Sequence, residues 1–207
     1  MMNIYEIYVL NRALDGNDIF TLPSFSKLNI SNFMIDDIKN VLIIKQILES
    51  DSTFTERGMS LTNRLCLFKQ AEKHIQIGNI AMGVLDKKES ILLLYNPMFK
   101  EYEIEVIDST DIADQLASFY SFLNPDGTAE TVPEEDVRMT NQEFIEAFTL
   151  DEESYFRMLI QDKDKKRDEI YFFSDGKYYV YDMISCILNS RSHNKLLSLL
   201  KERMRME

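Results

Sequence analysis

The stretch IQIGNIAMGVLDKKESILLLYNPMFKEYEIEVI, residues 75–107, decides the fold. Before it, apolar residues recur with the 3.6-residue period of a helix, and within it the period falls toward two. Three segments predict strands, namely residues 75–85, 90–96 and 101–107. Since connections this short join only antiparallel neighbours, the stretch predicts an antiparallel meander.

Three helices are predicted before this meander. The first is short and ends before Gly16, and an extended connector follows that contains Leu22 and Pro23. Ser31 or Asn32 caps the second helix. Its buried face is expected to comprise Phe33, Ile35, Ile38, Leu42, Ile47 and Leu48. The third helix opens at Thr55-Glu-Arg-Gly58 and ends near His74.

The elements after residue 107 repeat the same order. A helix is predicted from Asp108 to Leu123, an acidic loop over 124–139, and a capping box at Thr140-Asn-Gln-Glu143. Three further strands are expected at residues 154–161, 169–174 and 177–181. The linker between the first two of them is expected at 162–168, and a final helix or helix pair runs from Asp182 to residue 206.

This order predicts an α+β fold. Its centre is a mostly antiparallel six-stranded sheet with flanking helices. The two helix-meander-helix halves, residues 1–123 and 140–207, suggest a pseudo-two-fold duplication within one domain that spans 1–207 and is joined by the loop 124–139.

The charge distribution constrains the partners. The chain carries a net charge of −12, and residues 101–155 hold 16 acids against one base, Arg138. An acidic chain repels phosphate, so nucleic acid is not an expected partner. A solvated acidic face explains the imbalance most simply, and a basic protein partner would also fit it.

The sequence has no recognisable catalytic or cofactor motif. His74 and His193 have no metal-ligand spacing, and Cys66 and Cys186 are expected to be buried free thiols within helices. No phosphate-binding glycine loop or nucleophile elbow is present. Acid pairs such as Glu103 and Glu105 fit a solvated strand face better than a hydrolase. We therefore expect no enzyme activity, no metal and no cofactor.

The location expected from the sequence is the cytoplasm. The segment MMNIYEIYVLNRALDG, residues 1–16, lacks the basic start and apolar run of a secretory signal. No later stretch approaches the roughly 20 apolar residues of a membrane-spanning helix, so membrane insertion is not expected.

The turn between the second and third segments of the opening stretch has an unusual composition. Hairpin tips commonly use Asn, Gly, Asp or Ser, whereas this one offers Pro97, Met98 and Phe99 between Tyr95 and Tyr102. Apolar side chains at a tip either fold back onto the domain or contact a partner. The five residues form the candidate partner-binding site.

Several ordered features resemble the EspG-like secretion chaperones, and most of all the EsaE-type accessory proteins of type VII secretion loci. These features are Leu22-Pro23, a helix ending at Ile47-Leu48, and Phe54-Thr55-Glu-Arg-Gly58 leading into a meander, followed by a second helix-meander-helix half. The resemblance implies a cytosolic, non-enzymatic protein that binds a helical secreted substrate. It places substrate contact at the turn Pro97–Lys100.

Other functions stay open at this stage. The segment around Thr55 and Gly58 also resembles the helix pair of a winged-helix regulator, although Arg57, Asn63 and Arg64 are few contacts for an acidic protein. An immunity protein that binds a secreted toxin shares the charge argument. An enzyme of unrecognised type is the remaining alternative.

Overall fold

The computed structural model describes residues 1–109, 116, 119–123, 135–151, 153–163 and 165–204. In these ranges the five helices are α1 Ile4–Arg12, α2 Asn32–Ile44, α3 Glu56–Gln70, α4 Asn141–Ala147 and α5 His193–Met204. The first strands are β1 Met2–Asn3, β2 Lys73–Ile77, β3 Ile80–Val84, β4 Glu89–Asn96 and β5 Glu101–Asp108. The others are β6 Asp136–Arg138, β7 Tyr155–Asp162, β8 Lys165–Ser174, β9 Lys177–Asp182 and β10 Ile187–Arg191.

All ten strands form one sheet in the order β1-β5-β4-β3-β2-β7-β8-β9-β10-β6. Every neighbouring pair is antiparallel. At its centre β2 pairs with β7, and Ile75 lies opposite Ile160. The predicted α+β class and antiparallel sheet are confirmed, whereas the predicted number of six strands is wrong.

Two of the corrections concern turns inside predicted segments. Residues 75–85 are not one strand, because Gly78 adopts a φ of +54° and turns the chain between β2 and β3. The left-handed backbone of this two-residue turn suits glycine. The segment 162–168 is not a linker either, because β7 and β8 stay paired as far as Asp162 and Lys165.

The other corrections concern strands that were missed. Residues 187–191 form β10 and not part of a helix from Asp182 to 206; the helix α5 begins only at His193. Residues 136–138 of the expected loop 124–139 form β6, which pairs with β10. Residues 2–3 pair with β5. These strands of two, three and five residues are short or polar, so they carry little alternation.

The two faces of the sheet have separate cores. One face, here the α1–α4 face, carries Ala81, Ile91, Leu93 and Ile104 under α1–α3. The same face continues to Ile170, Phe172, Tyr181 and Leu188 under α4. The opposite face, here the α5 face, carries Ile75, Met158, Tyr171 and Val180 against Leu196 and Leu200 of α5.

Helix α3 is held tightly against its neighbours. A Cβ added to Gly58 would lie 2.0 Å from the Ile47 carbonyl oxygen, so only glycine allows this approach. The basic side chains of α3 bind their own chain: Arg57 donates to the Lys45 carbonyl, Arg64 to the Ile104 carbonyl, and Lys69 to Asn11 and Asp15.

Helix α2 differs from its prediction on one side. Leu42 and Ile35 are buried as expected, but Phe33 is exposed. Phe33 is not on the face formed by positions 35, 38 and 42, which are three and four residues apart. The helix also ends at Ile44, so Ile47 and Leu48 are buried in the turn that follows it.

Some predictions fall outside the described residues. These are most of the predicted helix from Asp108 to Leu123 and residues 124–134 of the acidic loop. Leu116, Phe122 and Leu123 are described and belong to the core on the α5 face. None of the helices in the described part of the chain has the length and apolarity needed to cross a bilayer.

Candidate partner-binding site

The turn between β4 and β5 exposes two large apolar side chains. Met98 is 81% exposed and Phe99 is 62% exposed, and Pro97 beside them is also exposed. Neither side chain folds back into a core of its own chain. Burying such side chains is favourable by about 1.5–3 kcal/mol each, which makes this tip a candidate contact for a partner.

Polar backbone contacts fix the shape of this tip. The Asn96 Oδ1 atom accepts hydrogen bonds from the backbone N–H groups of Met98 and Phe99, at 3.1 and 3.3 Å. Lys100 then adopts a φ of +54°, which turns the chain into β5. An Asx turn of this kind orders the backbone, so the two apolar side chains are presented from a defined loop.

Two tyrosines form the base of the tip. Tyr95 and Tyr102 are direct cross-strand partners, and their ring centroids are 4.8 Å apart. Burial raises the pKa of the Tyr102 hydroxyl, and the neighbouring Tyr95 contributes to the same shift. Both rings are half-buried, so they stiffen the hairpin and leave some apolar surface beside the tip.

The amino terminus and α2 support the base of the hairpin. Strand β1 pairs with Glu101 and Tyr102. The Lys45 ammonium donates to Glu6 at 2.9 Å and to Glu101 at 3.2 Å. Burial alone would lower the pKa of Lys45, but these two carboxylates outweigh burial and raise it. Lys45 therefore ties α1 and α2 to the start of β5.

The structure brings the five predicted residues together in one hairpin. Two exposed apolar residues that the sequence analysis did not select adjoin Lys45, which supports the base of this hairpin. Ile44, which directly precedes Lys45, is 81% exposed, and the carbonyl of the exposed Met1 lies 3.4 Å from the Lys45 ammonium. Spacing alone could have signalled Ile44, because it lies off the buried face of α2.

A second concave region lies on the α5 face of the sheet, between α5 and strands β8–β10. Its volume is about 420 Å³, and acidic and basic side chains line it. Arg203 of α5 donates to both carboxylate oxygens of Glu169, at 3.1–3.2 Å. Arg191 reaches Asp136 at 3.4 Å. These lining charges are thus paired with each other.

The buried Glu169 is the centre of this ion-pair network. Its carboxylate also accepts a hydrogen bond of 2.6 Å from the Tyr171 hydroxyl. Burial raises the pKa of Tyr171 well above its usual range, and the nearby Glu169 carboxylate adds to the rise. The network anchors α5 to β8, and Tyr171 stays a hydrogen-bond donor at all ordinary pH values.

The side chains that could bind a metal ion are those of His, Cys, Asp and Glu, and the cysteines could also react as thiols. In the described ranges, no group of three or more His, Cys, Asp or Glu side chains is placed to hold a metal ion. Cys66 and Cys186 are half-buried free thiols. The expectation that both lie in helices is wrong for Cys186, which ends the β9–β10 turn with a φ of +57°.

Comparison with known proteins gives a family and no activity. No curated protein matches the sequence. A family model described as a domain of unknown function, DUF5081, matches residues 1–207. Since this match covers the whole sequence, the chain belongs to the DUF5081 family.

Proposed function

We propose that this protein is a cytoplasmic, non-enzymatic adaptor or chaperone, which binds a helical substrate of a type VII-like secretion system and keeps it competent for export. The observation that carries the proposal is the exposed Met98–Phe99 pair on an ordered hairpin tip. The resemblance to EspG-like chaperones supplies the substrate class.

The chemistry of the tip suits an amphipathic helix. Two exposed apolar side chains, supported by Tyr95 and Tyr102, can cover part of the apolar seam of a helical hairpin. Burying both would contribute about 3–6 kcal/mol before ordering costs. The net charge of −12 would steer a basic partner toward the protein.

The proposal includes a pseudo-two-fold duplication. Read outward from the β2–β7 pair, one side of the sheet is β3-β4-β5-β1 and the other is β8-β9-β10-β6. On each side, three strands form a meander, and the outermost strand of the sheet lies beside the last of them. In the sequence, each of these edge strands, β1 and β6, comes shortly before a helix, α1 or α4. With β6 in the sheet, the second unit would begin at 136 instead of 140.

The β9–β10 turn supports this duplication in detail. Asp182 Oδ1 accepts from the backbone N–H groups of Ile184 and Ser185, as Asn96 does in the first tip. Cys186 has the positive φ that Lys100 has. The residues at the two tips differ, and Ile184 and Ser185 occupy the positions of Met98 and Phe99.

A DNA-binding function has less support. The Arg57, Arg64 and Lys69 side chains of α3 are hydrogen-bonded to their own chain. A recognition helix needs such side chains free to reach bases and phosphates.

The test is direct binding of a purified helical secreted protein encoded beside this gene, measured by calorimetry. The double variant Met98→Ser/Phe99→Ser should weaken binding about 100-fold, which corresponds to roughly 3 kcal/mol, with an unchanged melting temperature. Ile184→Ser, at the matching turn, is the control and should bind normally.

Several outcomes would count against the proposal. Equal weakening by Ile184→Ser, or no weakening by the double variant, would remove the tip from the interface. Inhibition of a secreted toxin by the protein would favour the immunity function. If the protein binds DNA, with an affinity that falls steeply as the salt concentration rises, the winged-helix regulator would be favoured.

A further inference from the structure

The sheet ends in two edges of different chemistry. At one edge, β1 covers β5 only at Glu101 and Tyr102, and the acids Glu103 and Glu105 continue along the strand. At the other edge β6 is outermost, with the sequence Asp136-Val137-Arg138. All three of these residues are exposed.

Hydrogen bonds to β10 define which backbone groups of β6 face outward. The Met139 N–H donates to the Cys186 carbonyl, and the Ser190 N–H donates to the Glu135 carbonyl, both at 3.0 Å. Residues 135 and 139 therefore face β10, and by alternation residue 137 does too. The N–H and C=O groups of Asp136 and Arg138 point away from the sheet.

We propose that β6 is a homodimerisation edge, at which a second copy of this chain adds its own β6 antiparallel about Val137. In this register Asp136 lies opposite Arg138 of the second copy, and Arg138 lies opposite its Asp136. Both residues face outward, so each pair exchanges two backbone hydrogen bonds. The strand is thus complementary to itself in charge and in hydrogen bonding.

The surroundings of β6 fit this pairing. Val137 is 45% exposed, and it lies on the α1–α4 face because it is opposite Leu188. Helix α4 packs on the same face through Phe144. Asp136 contacts Arg191 at 3.4 Å, but its side chain keeps 66% exposure and can accept from a second guanidinium.

Moving the symmetry axis by one residue, which shifts the register by two, would be unfavourable. Centring the pair on Asp136 or Arg138 sets like charges opposite each other, which destabilises a strand pair. The β5 edge fails for the same reason, since Glu103 and Glu105 have no basic residue along the strand. Of the two edges formed by the described strands, the β6 edge combines outward-facing backbone groups with opposite charges two residues apart.

The first experiment uses two complementary variants of the full chain, Asp136→Arg and Arg138→Glu. Sedimentation of the wild type up to about 100 µM, a range that includes weak interfaces, should give twice the monomer mass of 24.3 kDa. Each variant alone places like charges opposite and should sediment as a monomer. An equimolar mixture of the two should recover the dimer, because opposite charges then face each other in both pairs.

A cross-linking experiment keeps the test valid if either charge variant folds poorly. Residue 137 lies opposite itself in a non-hydrogen-bonded pair, where Cα atoms are about 4.5 Å apart, so Val137→Cys should form an intermolecular disulfide under mild oxidant. Arg138→Cys is the control, since residue 138 faces residue 136 and is too far from its own copy. The wild-type protein, which contains the free thiols Cys66 and Cys186, shows how much cross-linking occurs without an introduced cysteine.

The proposal fails if the wild type stays monomeric at the highest concentration. It also fails if a dimer forms but the single charge variants retain it, or if Arg138→Cys cross-links as efficiently as Val137→Cys. These last results would place the dimer contact on another surface or in another register.

Discussion

Helices α1 and α4 begin in the same way and pack into different cores. Each follows an edge strand and opens with a capping box, Asn3 with Glu6 in α1 and Thr140 with Glu143 in α4. Helix α1 buries Ile7 and Leu10 in a core that is mainly aliphatic. Helix α4 buries a single apolar residue among aromatic rings. Local cap chemistry thus sets where a helix begins, and the sheet beneath decides what it buries.

The largest effect should come from the single buried residue of α4. Phe144 stacks on Tyr181 with ring centroids 4.2 Å apart and contacts Phe172 edge-on at 5.6 Å. Phe144→Ala should lower the free energy of unfolding by about 3–5 kcal/mol in denaturant titrations, because no other α4 residue fills the space. Ile145→Ala is the matched control and should change it by less than about 0.5 kcal/mol, since Ile145 is exposed. A smaller loss for Phe144→Ala than for the control would contradict the importance of the ring stack.

An intermediate effect should distinguish the two capping boxes. The Asn3 side chain accepts from two backbone N–H groups, those of Tyr5 and Glu6, whereas Thr140 accepts from the Glu143 N–H alone. Asn3→Ala should therefore cost about 1–2 kcal/mol of unfolding free energy and Thr140→Ala about 0.5–1 kcal/mol. Asn3→Asp and Thr140→Ser keep an acceptor and should restore most of each loss. The reverse order of the two alanine effects would show that the number of capped amides does not decide the cost.

The smallest effect concerns pH and an aromatic contact near α3. The His74 ring lies 5.1 Å from both Phe20 and Phe68. Burial lowers the pKa of His74 below its usual value, although its hydrogen bond to the Phe68 carbonyl partly opposes this. The unfolded chain then binds more protons near the ordinary pKa of about 6.5, so stability from this group is full above that pH and is lost below it.

The measurement is the melting temperature of wild type and His74→Gln in the same buffers between about pH 5 and pH 7.5, around the ordinary histidine pKa. The wild type should lose more stability on acidification than the variant, whose side chain does not titrate. Parallel curves would mean that His74 contributes nothing to the pH dependence.

The sequence predicts the parts of the fold that local periodicity encodes. The strands at 89–96, 101–108, 155–162 and 177–182 are apolar enough to be recognised, and the caps Thr55 and Thr140 are found where predicted. Strand β10 was missed because Asn189, Ser190 and Arg191 give it a polar composition. The pairing of β2 with β7 could not be predicted from local sequence patterns, because the two strands are far apart along the chain.

The candidate site was predictable for a different reason. Apolar residues at a hairpin tip contradict usual turn chemistry, so Met98 and Phe99 stand out in the sequence alone. The support from Lys45 could not be foreseen, because Glu6 and Glu101 approach it only after α1 and β5 have packed. The self-complementary edge at β6 also required the strand direction and register.

The central β2–β7 pair has a consequence for how the chain folds during synthesis. Ile75 meets Ile160, which lies 85 positions later, whereas the strands from β2 to β5 are joined by short turns. Contacts so distant along the chain form late, because a long loop must close first. As the polypeptide leaves the ribosome, the first meander can therefore assemble with β2 paired to β3 but not yet to β7. Until residues 155–162 have been synthesised, the unpaired edge of β2 can form hydrogen bonds with other nascent chains. We therefore expect aggregation to be most favourable at this stage of synthesis.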